Sequence, residues 1–329
     1  MAGAGYPSAV SSGSSASDPS LAQRRFLWLV WVVLAFTVVV IVSGDVVQAT
    51  SSGAGCGESW PRCDGALLPG LNDQATVVEF VHRMLTTALS IGFVVMLVAA
   101  WRLYGTSHRV FKASAWASVF LVLEILIGAA LVLFGWVEDD ASVGRVVADA
   151  AHVVNTFLMV AALTLTAFFA GGGRSLPRDD PRRGRLLGGA TIIVIVAITG
   201  TINSLADTLA VTESVDLDTT PVAGLLVAVR GVHPFFAILG GLAVFAIVRS
   251  LTSGAARVVL LSRAVQVIIV AQFVVGISNI ALLTPMETQV AHLLLADALW
   301  IVYILFAATL LTTAETGVGS VQPRERADR

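Results

Sequence analysis

The sequence predicts an all-α fold: a polytopic membrane protein whose eight transmembrane helices form two parallel-repeat four-helix bundles. Three observations lead to this prediction. First, 56% of the 329 residues are hydrophobic and only 13% are charged, which is about half the charged fraction of a soluble domain. Second, long apolar runs recur eight times along the chain. Third, features of the first four runs return in the same order in the last four.

Each of the eight apolar runs can cross about 30 Å of hydrocarbon as a helix, the structure that satisfies every backbone polar group within lipid. The first run is longer than the apolar core of a signal peptide and ends without a small-residue cleavage pattern, so we expect it to be retained. In chain order the runs cover residues 26–43, 77–101, 113–134, 146–170, 186–203, 224–248, 259–283 and 289–312.

The charges in the loops predict the orientation of these helices. Arginine and lysine concentrate before the first run, after the last and in every second loop. The alternate loops are acidic, with Asp45 and Asp207 among their residues, and contain only Arg62 and Arg145 as basic residues. Because cytoplasmic loops carry the basic excess, we expect a cell-membrane protein with both termini in the cytoplasm. The net charge of −2 indicates no partner, and we expect none among nucleic acids.

Four features connect the two sets of runs. Runs one and five end in an apolar residue, a hydroxyl residue and a glycine, and runs three and seven carry a polar residue four positions before a glycine. The remaining runs of each set contain a histidine. The paired residues are Ser43-Gly44 with Thr199-Gly200, Glu124 and Gly128 with Gln272 and Gly276, His82 with His233, and His152 with His292. Because each unit has four runs, both copies have the same orientation, and the repeat is parallel.

This repeat divides the chain into five parts. Residues 1–23, rich in Ser, Gly and Ala, are expected to form a disordered cytoplasmic tail. Residues 24–172 form the N-terminal four-helix half and residues 186–313 the C-terminal half, joined by a cytoplasmic linker at 173–185. Residues 314–329 are expected to form a second cytoplasmic tail.

Four histidines lie at matching depth near one end of their runs. At about 1.5 Å per residue each is roughly 25–30 Å from the far end of its helix, so all four should lie towards the outer face of the membrane. For any one of them, a buried hydrogen bond between helices is the alternative. Together they predict two axial pairs, His82 with His152 and His233 with His292, each binding a flat metal macrocycle, of which haem is the usual one. His108, in a cytoplasmic loop, is expected to be solvated surface.

The two cysteines of the chain both lie in the outer loop after the first run. Cys56 and Cys63 are separated by six residues that include glycines and a proline, which is enough chain to close a small ring. Outside the cytoplasm a disulfide is the default, and this one would shape a lid over the first site. A redox-active or acceptor thiol pair is the alternative.

A carboxylate precedes the first histidine by one helical turn. Glu79 and His82 share a helix face, which would put the carboxylate over the edge of a bound macrocycle, and acidic side chains at membrane depth usually serve a function. The alternative is an interfacial Glu in the first turn, which the helix dipole stabilises. The second half instead has Arg230 three residues before His233, so the sequence predicts one reacting site and one holding site.

Three arginines are candidates for contacting the propionates of a macrocycle, because a guanidinium matches a carboxylate with two parallel donors. They are Arg83, Arg145 and Arg230. Snorkelling to lipid headgroups is the alternative for Arg83 and Arg230. Glu124, the deepest carboxylate, is expected to make a structural polar contact with a neighbouring helix, because its repeat partner is the neutral Gln272.

Three motifs resemble those of the haem A synthase family, and the resemblance covers about residues 26–312. The loop from Gly53 to Gly65 matches a Gly-x-Gly-Cys…Trp-Pro-x-Cys-x-Gly pattern, residues 79–83 match Glu-x-x-His-Arg, and residues 292–293 match a His-Leu pair in the last helix. One position departs from the family pattern: Pro234 follows His233, where an arginine is expected.

The resemblance implies an oxidoreductase acting on a CH group, which oxidises the C8 methyl group of haem O to a formyl group and so produces haem A. His82 and His152 would then flank haem O as the substrate, and His233 and His292 would hold a permanent haem b. Glu79 would act as a base or stabilise positive charge at the reacting edge.

The resemblance also implies surroundings and partners. The helices would lie in membrane lipid. The expected partners are haem O synthase, the assembly of cytochrome oxidase and an electron acceptor whose identity the sequence does not give. The alternative function is that of a dihaem bis-histidine electron-transfer cytochrome without substrate chemistry. A repeat-type transporter fits less well, because the sequence lacks the pairs of broken helices expected at a midplane site.

Overall fold

The computed structural model describes residues 20–138, 140–211, 221–228, 230–252 and 254–313. Within these ranges the regular structure is helical, apart from one isolated bridge between Cys63 and Ala66. The helices are α1 (Leu21–Ala49), α2 (Gln74–Tyr104), α3 (Arg109–Leu133), α4 (Val143–Ala170), α5 (Arg183–Val211), α6 (Pro221–Ala228), α7 (Val232–Leu251), α8 (Ala256–Ala281) and α9 (Met286–Thr312). Of the predicted tails, residues 1–19 and 314–329 lie outside the described ranges.

Eight of these helices are long and apolar enough to cross a membrane, which confirms the predicted number of spans. Several extend beyond the apolar runs. Helix α1 begins at Leu21, inside the predicted N-terminal tail, and α5 begins at Arg183, inside the predicted linker. Asp45 and Asp207, which the sequence analysis assigned to outer loops, accordingly lie within α1 and α5.

The sixth predicted span is divided in the structure. The short helix α6 ends before Arg230, and the membrane helix α7 begins only at Val232. Pro234 explains the break, because proline lacks an N–H and its ring clashes with the carbonyl four residues earlier, so it fits the first turn of a helix but not the interior. Arg230 therefore lies outside α7, whereas Glu79, the residue at the corresponding position in the first half, lies within α2 with His82.

The membrane helices have the same neighbours in the two parts of the chain. In the first set, α1 contacts α2, α2 contacts α3, α3 contacts α4, and α4 contacts α1. In the second set, the same four relations join α5, α7, α8 and α9 in that order. In each set the two helices that carry histidines, α2 and α4 or α7 and α9, therefore lie diagonally across from one another.

The centre of the molecule lies where α4 meets α9. Helix α4 also contacts α1 and α5, and it is the most buried of the membrane helices. Trp300 of α9 donates a hydrogen bond to the backbone carbonyl of Phe157 at 2.8 Å, and Tyr303 donates to that of Leu186 at 2.6 Å. Exposed apolar side chains such as Ile91 cover the outer surface, as expected for helices that face lipid.

Candidate functional site

Each of the four histidines lies against a glycine on a neighbouring helix, and the four are the glycines that the sequence analysis paired. A Cβ added at Gly44 would lie 3.2 Å from the His82 ring, one at Gly200 would lie 3.1 Å from the His233 ring, and one at Gly276 would lie 3.3 Å from the His292 ring. At Gly128 the corresponding distance to His152 is 3.9 Å. The four glycines thus leave the space in which the imidazole rings lie.

A hydroxyl group sets the orientation of one imidazole in each set of helices. Ser43 Oγ lies 2.8 Å from His82 Nδ1 and donates its own hydrogen to the Val40 carbonyl at 2.7 Å. Because a hydroxyl has a single hydrogen, the oxygen must accept its second hydrogen bond from the Nδ1–H of the imidazole. The Nε2 atom of His82 then keeps its lone pair, which is the form that binds a metal.

The same arrangement occurs at His233. Thr199 Oγ1 lies 3.1 Å from His233 Nδ1 and donates to the Val196 carbonyl at 2.8 Å. From the sequence, Ser43 and Thr199 were recognisable only as matching residues at the ends of the first and fifth apolar runs. Their contacts with histidines depend on the register between helices, which hydropathy does not give.

His152 has a carboxylate partner. Its Nδ1 atom forms an ion pair with Glu124 Oε2, and Glu124 Oε1 accepts a hydrogen bond from Thr156 Oγ1 at 2.8 Å. Glu124 is 8% exposed. The polar contact with a neighbouring helix that the sequence predicted for Glu124 is therefore present, but it is made to a candidate ligand, which the sequence analysis missed.

His292 lies on α9, the counterpart of α4, and no carboxylate among the described residues forms an ion pair with it. Within the described residues, His292 Nδ1 and Gln272 Oε1 are both buried atoms without a hydrogen-bond partner. The two atoms are complementary in hydrogen bonding. In neutral imidazole Nδ1 can carry a hydrogen and donate it, and an amide oxygen such as Gln272 Oε1 accepts.

The histidines of the second pair approach one another closely. The ring centroids of His233 and His292 are 6.4 Å apart, and the ring planes are nearly perpendicular at 89°. Two imidazoles bound to opposite sides of one metal, with metal–nitrogen bonds of about 2 Å, have centroids about 6 Å apart. The spacing therefore fits a metal macrocycle such as haem between them. No cluster of three or more His, Cys, Asp or Glu residues arranged for a bare metal ion occurs among the described residues.

The loop after α1 closes over the start of α2. Cys56 and Cys63 form the predicted disulfide, and both are buried. Gly55 lies so close to α2 that a Cβ there would be 2.3 Å from the backbone carbon of Ala75. Thr76 Oγ1 donates to the Gly55 carbonyl at 2.6 Å, which holds the loop on the helix. This close approach accounts for the glycine that precedes Cys56 in the loop motif.

Glu79 joins this loop to the helix of the first histidine. It is 3% exposed, and its Oε2 atom accepts a hydrogen bond from the Cys56 N–H at 2.7 Å. Its Oε1 atom forms an ion pair with Arg83. The Arg83 guanidinium also donates to the backbone carbonyls of Ser59 and Arg62, at 2.9 and 2.8 Å. Glu79 and Arg83 thus form a charged pair between the loop and α2, beside His82.

The other two candidate propionate contacts have protein partners as well. Arg145 is buried in the first turn of α4, donates to the carbonyls of Glu138 and Asp140, and forms an ion pair with Asp149 at 3.7 Å. Arg230 forms an ion pair with Asp207 at 2.6 Å, and its side chain is 44% exposed.

His108 is separate from the four membrane histidines. It is exposed at the start of α3, where its Nδ1 atom accepts a hydrogen bond from the Val110 N–H at 3.2 Å. Partial burial and the charge of Arg109 lower the pKa of His108. The predicted surface position is confirmed, and the ring caps a helix.

Comparison with known proteins places the sequence of this chain in a family. A family profile described as cytochrome oxidase assembly protein (COX15-CtaA) matches residues 27–304. A Thermus thermophilus protein named "Protoheme IX farnesyltransferase" is 33% identical over 300 residues, which cover 88% of this chain and 49% of that protein. The chain therefore spans about half the length of this relative.

Shorter matches join the chain to proteins named "Heme A synthase". The one from Lysinibacillus sphaericus is 39% identical over 111 residues, 33% of this chain and 36% of the relative. The one from Bacillus mycoides is 33% identical over 113 residues, 34% of this chain and 36% of the relative. Because the family profile covers most of the chain, the protein belongs to the cytochrome oxidase assembly protein family (COX15-CtaA).

Proposed function

We propose that this protein is a haem A synthase, an oxidoreductase that converts the C8 methyl group of haem O to a formyl group. The observation that carries the proposal is the unequal surroundings of two similar histidine pairs. Among the residues that the structure describes, carboxylates lie one helical turn from the histidines of the first pair only, and of these Glu79 is fully buried beneath a disulfide loop whereas Asp149 is paired with Arg145. Relatives named "Heme A synthase" support the same reaction.

The proposal includes a duplicated architecture. Residues 24–172 and 186–313 form two parallel four-helix halves, joined by a linker at residues 173–185. The matching helix neighbours of the two sets support this arrangement. The glycine that lies against each histidine supports it independently.

The two pairs have different occupants in this proposal. His82 and His152 hold haem O as the substrate, and His233 and His292 hold a permanent haem b. The bound haem iron would supply the redox chemistry. The protein orients the imidazoles through Ser43 and Thr199, which keep the Nε2 lone pairs available for the metal.

Glu79 is the proposed catalytic residue. Oxidation of a methyl group develops positive charge on its carbon and releases protons. A nearby carboxylate stabilises the positive charge and can accept a proton. The Cys56 N–H and Arg83 fix the position of both carboxylate oxygens. Arg83, Arg145 and Arg230 remain candidates for contacting propionates, in addition to the protein partners that they already have.

We further propose a location in the cell membrane, with both termini cytoplasmic and the two histidine pairs towards the outer face. The basic residues of alternate loops support this orientation. Lipid surrounds the exposed apolar faces of the helices.

Haem O synthase is the proposed upstream partner. The Thermus relative, named for protoheme IX farnesyl transfer, is about twice as long as the part that this chain matches. One chain that combines a region like this protein with a region for farnesyl transfer would deliver haem O directly to the first histidine pair. The family, described as cytochrome oxidase assembly protein, supports the proposal that haem A is delivered to the assembly of that oxidase.

A test of the reaction uses cells that make haem O but lack their own haem A synthase. Expression of this protein should produce haem A, identified by mass in a haem extract, and His82→Ala should abolish it. A dihaem electron-transfer cytochrome, the second candidate, would bind haem in the same cells without forming haem A. Full binding of haem with no haem A would therefore exclude the synthase.

A further inference from the structure

We propose that Glu124 and Gln272 give the two histidine pairs different electron-donating strength, so that the haem at the first pair has a lower reduction potential than it would with an amide. The inference rests on the proposed function, because it requires a haem at each pair. It treats Glu124 as a positioning residue that acts on the iron only through His152.

His152 contacts a carboxylate through Nδ1, the ring nitrogen that would face away from a bound metal. A carboxylate oxygen of Glu124 is paired with Nδ1, so the imidazole is held from behind by an anionic acceptor while Nε2 points away from it. Thr156 Oγ1 lies 2.8 Å from the other carboxylate oxygen and 2.9 Å from the His152 carbonyl, so its one hydrogen is shared between these two acceptors. Glu124 has one oxygen for the imidazole and one for Thr156, and the carboxylate is buried.

The residue that corresponds to Glu124 in the second half is Gln272, a neutral amide. Gln272 precedes Gly276 by four residues as Glu124 precedes Gly128, so both side chains lie one turn from the glycine that borders the imidazole. Within the described residues, the buried Gln272 Oε1 and His292 Nδ1 have no hydrogen-bond partner. Two similar positions thus differ by one functional group, a carboxylate in one half and a neutral amide in the other.

The physical consequence concerns the donor strength of each imidazole. A partner that accepts the Nδ1–H bond raises the basicity of the metal-bound nitrogen, and an anionic acceptor does so more than a neutral one. Stronger electron donation from the imidazole nitrogen stabilises ferric relative to ferrous iron and so lowers the reduction potential of the haem. Since hydrogen bonds to charged groups are roughly twice as strong as neutral ones, the carboxylate should change the reduction equilibrium roughly tenfold. For a one-electron couple a tenfold change is about 59 mV.

The experiment exchanges the two groups in the full-length protein. Glu124→Gln and Gln272→Glu are nearly isosteric and reverse the charge difference. A spectroscopic redox titration of the purified holoprotein resolves the haem components. Glu124→Gln should raise the potential of one component by about 59 mV, and Gln272→Glu should lower the potential of the other by a similar amount. Two features distinguish this effect from a general disturbance of the structure: the sign of the shift in potential, and which of the two haem components shifts.

Each outcome decides the inference. If both potentials stay unchanged in both variants while two haem components are present, the inference is wrong and the proposed function stands. A shift of both components, or a shift of opposite sign, also overturns it. If Glu124→Gln loses its haem, Gln272→Glu alone decides. A lowered potential of one haem component supports the inference, and an unchanged potential overturns it. A wild-type protein without bis-histidine haem would overturn both the inference and the proposed function.

Discussion

Ser43 and Thr199 illustrate how one hydroxyl group orients a histidine side chain. Each hydroxyl donates its hydrogen to a carbonyl of its own helix and so accepts from the imidazole Nδ1–H. The pairing selects the tautomer in which Nε2 is the ligand atom. In other metalloproteins, removal of such a partner typically lowers metal affinity by about 10- to 100-fold.

We expect Ser43→Ala to weaken haem binding at the first pair by roughly 10- to 100-fold, because the imidazole loses its orienting acceptor. Ser43→Thr is the matched control, since the second half uses Thr199 in the same role. Haem titration of the purified variants measures the change. If Ser43→Ala and Ser43→Thr lower haem affinity equally, the size of the side chain, and not its hydroxyl group, matters at this position.

Glu79 is tested by a change that keeps its shape. Glu79→Gln should still fold and bind haem, because Glu79 is not a proposed ligand, but the rate of haem A formation should fall by about 10²–10⁴. Haem O or a partly oxidised haem should then accumulate. Glu58→Gln, at an exposed position of the same loop, is the control. A near-normal haem A yield in Glu79→Gln would remove Glu79 from the mechanism, and loss of all bound haem would make its role structural.

At the level of elements, the disulfide loop and the start of α2 act as one unit. The Gly55 carbonyl accepts from Thr76, the Cys56 N–H donates to Glu79, and Arg83 donates to two further carbonyls of the loop. The loop therefore helps to fix the side chain that the proposed reaction requires. Its position depends on the close approach of Gly55 to the helix backbone.

Gly55→Ala should displace this loop, because the added methyl group would lie 2.3 Å from the backbone of Ala75. Overpacking of this kind typically costs about 1–3 kcal/mol, and we expect a lower thermal midpoint together with a lower haem A yield. Gly70→Ala is the control in the same loop, since its nearest neighbour, Asn72 Nδ2, is an ordinary 3.8 Å away. Equal stability of the two variants would contradict the proposed fit.

At the level of the whole molecule, hydropathy was sufficient to predict the spans, because lipid leaves the backbone no alternative to a helix. The division between α6 and α7 was missed even though Pro234 was visible in the sequence. The partners of the histidines could not be predicted, because the register between helices is set by packing. Contacts with His82 and His233 explain in physical terms why Gly44 and Gly200 are glycines, because a Cβ at either position would crowd an imidazole ring.

The proposed orientation can be checked with single cysteines in whole cells, because both native cysteines are in the disulfide. Leu282→Cys, exposed after α8, should react with a membrane-impermeant maleimide. Ser175→Cys, exposed in the loop between α4 and α5, should react only after the cells are opened. The reverse pattern would place the histidine pairs on the cytoplasmic side.

The division of labour between the two histidine pairs is the central claim, and the haems that the purified protein carries test it most directly. Mass analysis of the extracted haems should find haem b together with haem O or haem A in the wild type. Variants His233→Ala and His292→Ala should lose haem b, whereas His82→Ala and His152→Ala should keep it and lose haem O and haem A. Haem b as the sole haem of the wild type, or full bis-imidazole spectra in both His233→Ala and His292→Ala, would contradict the account.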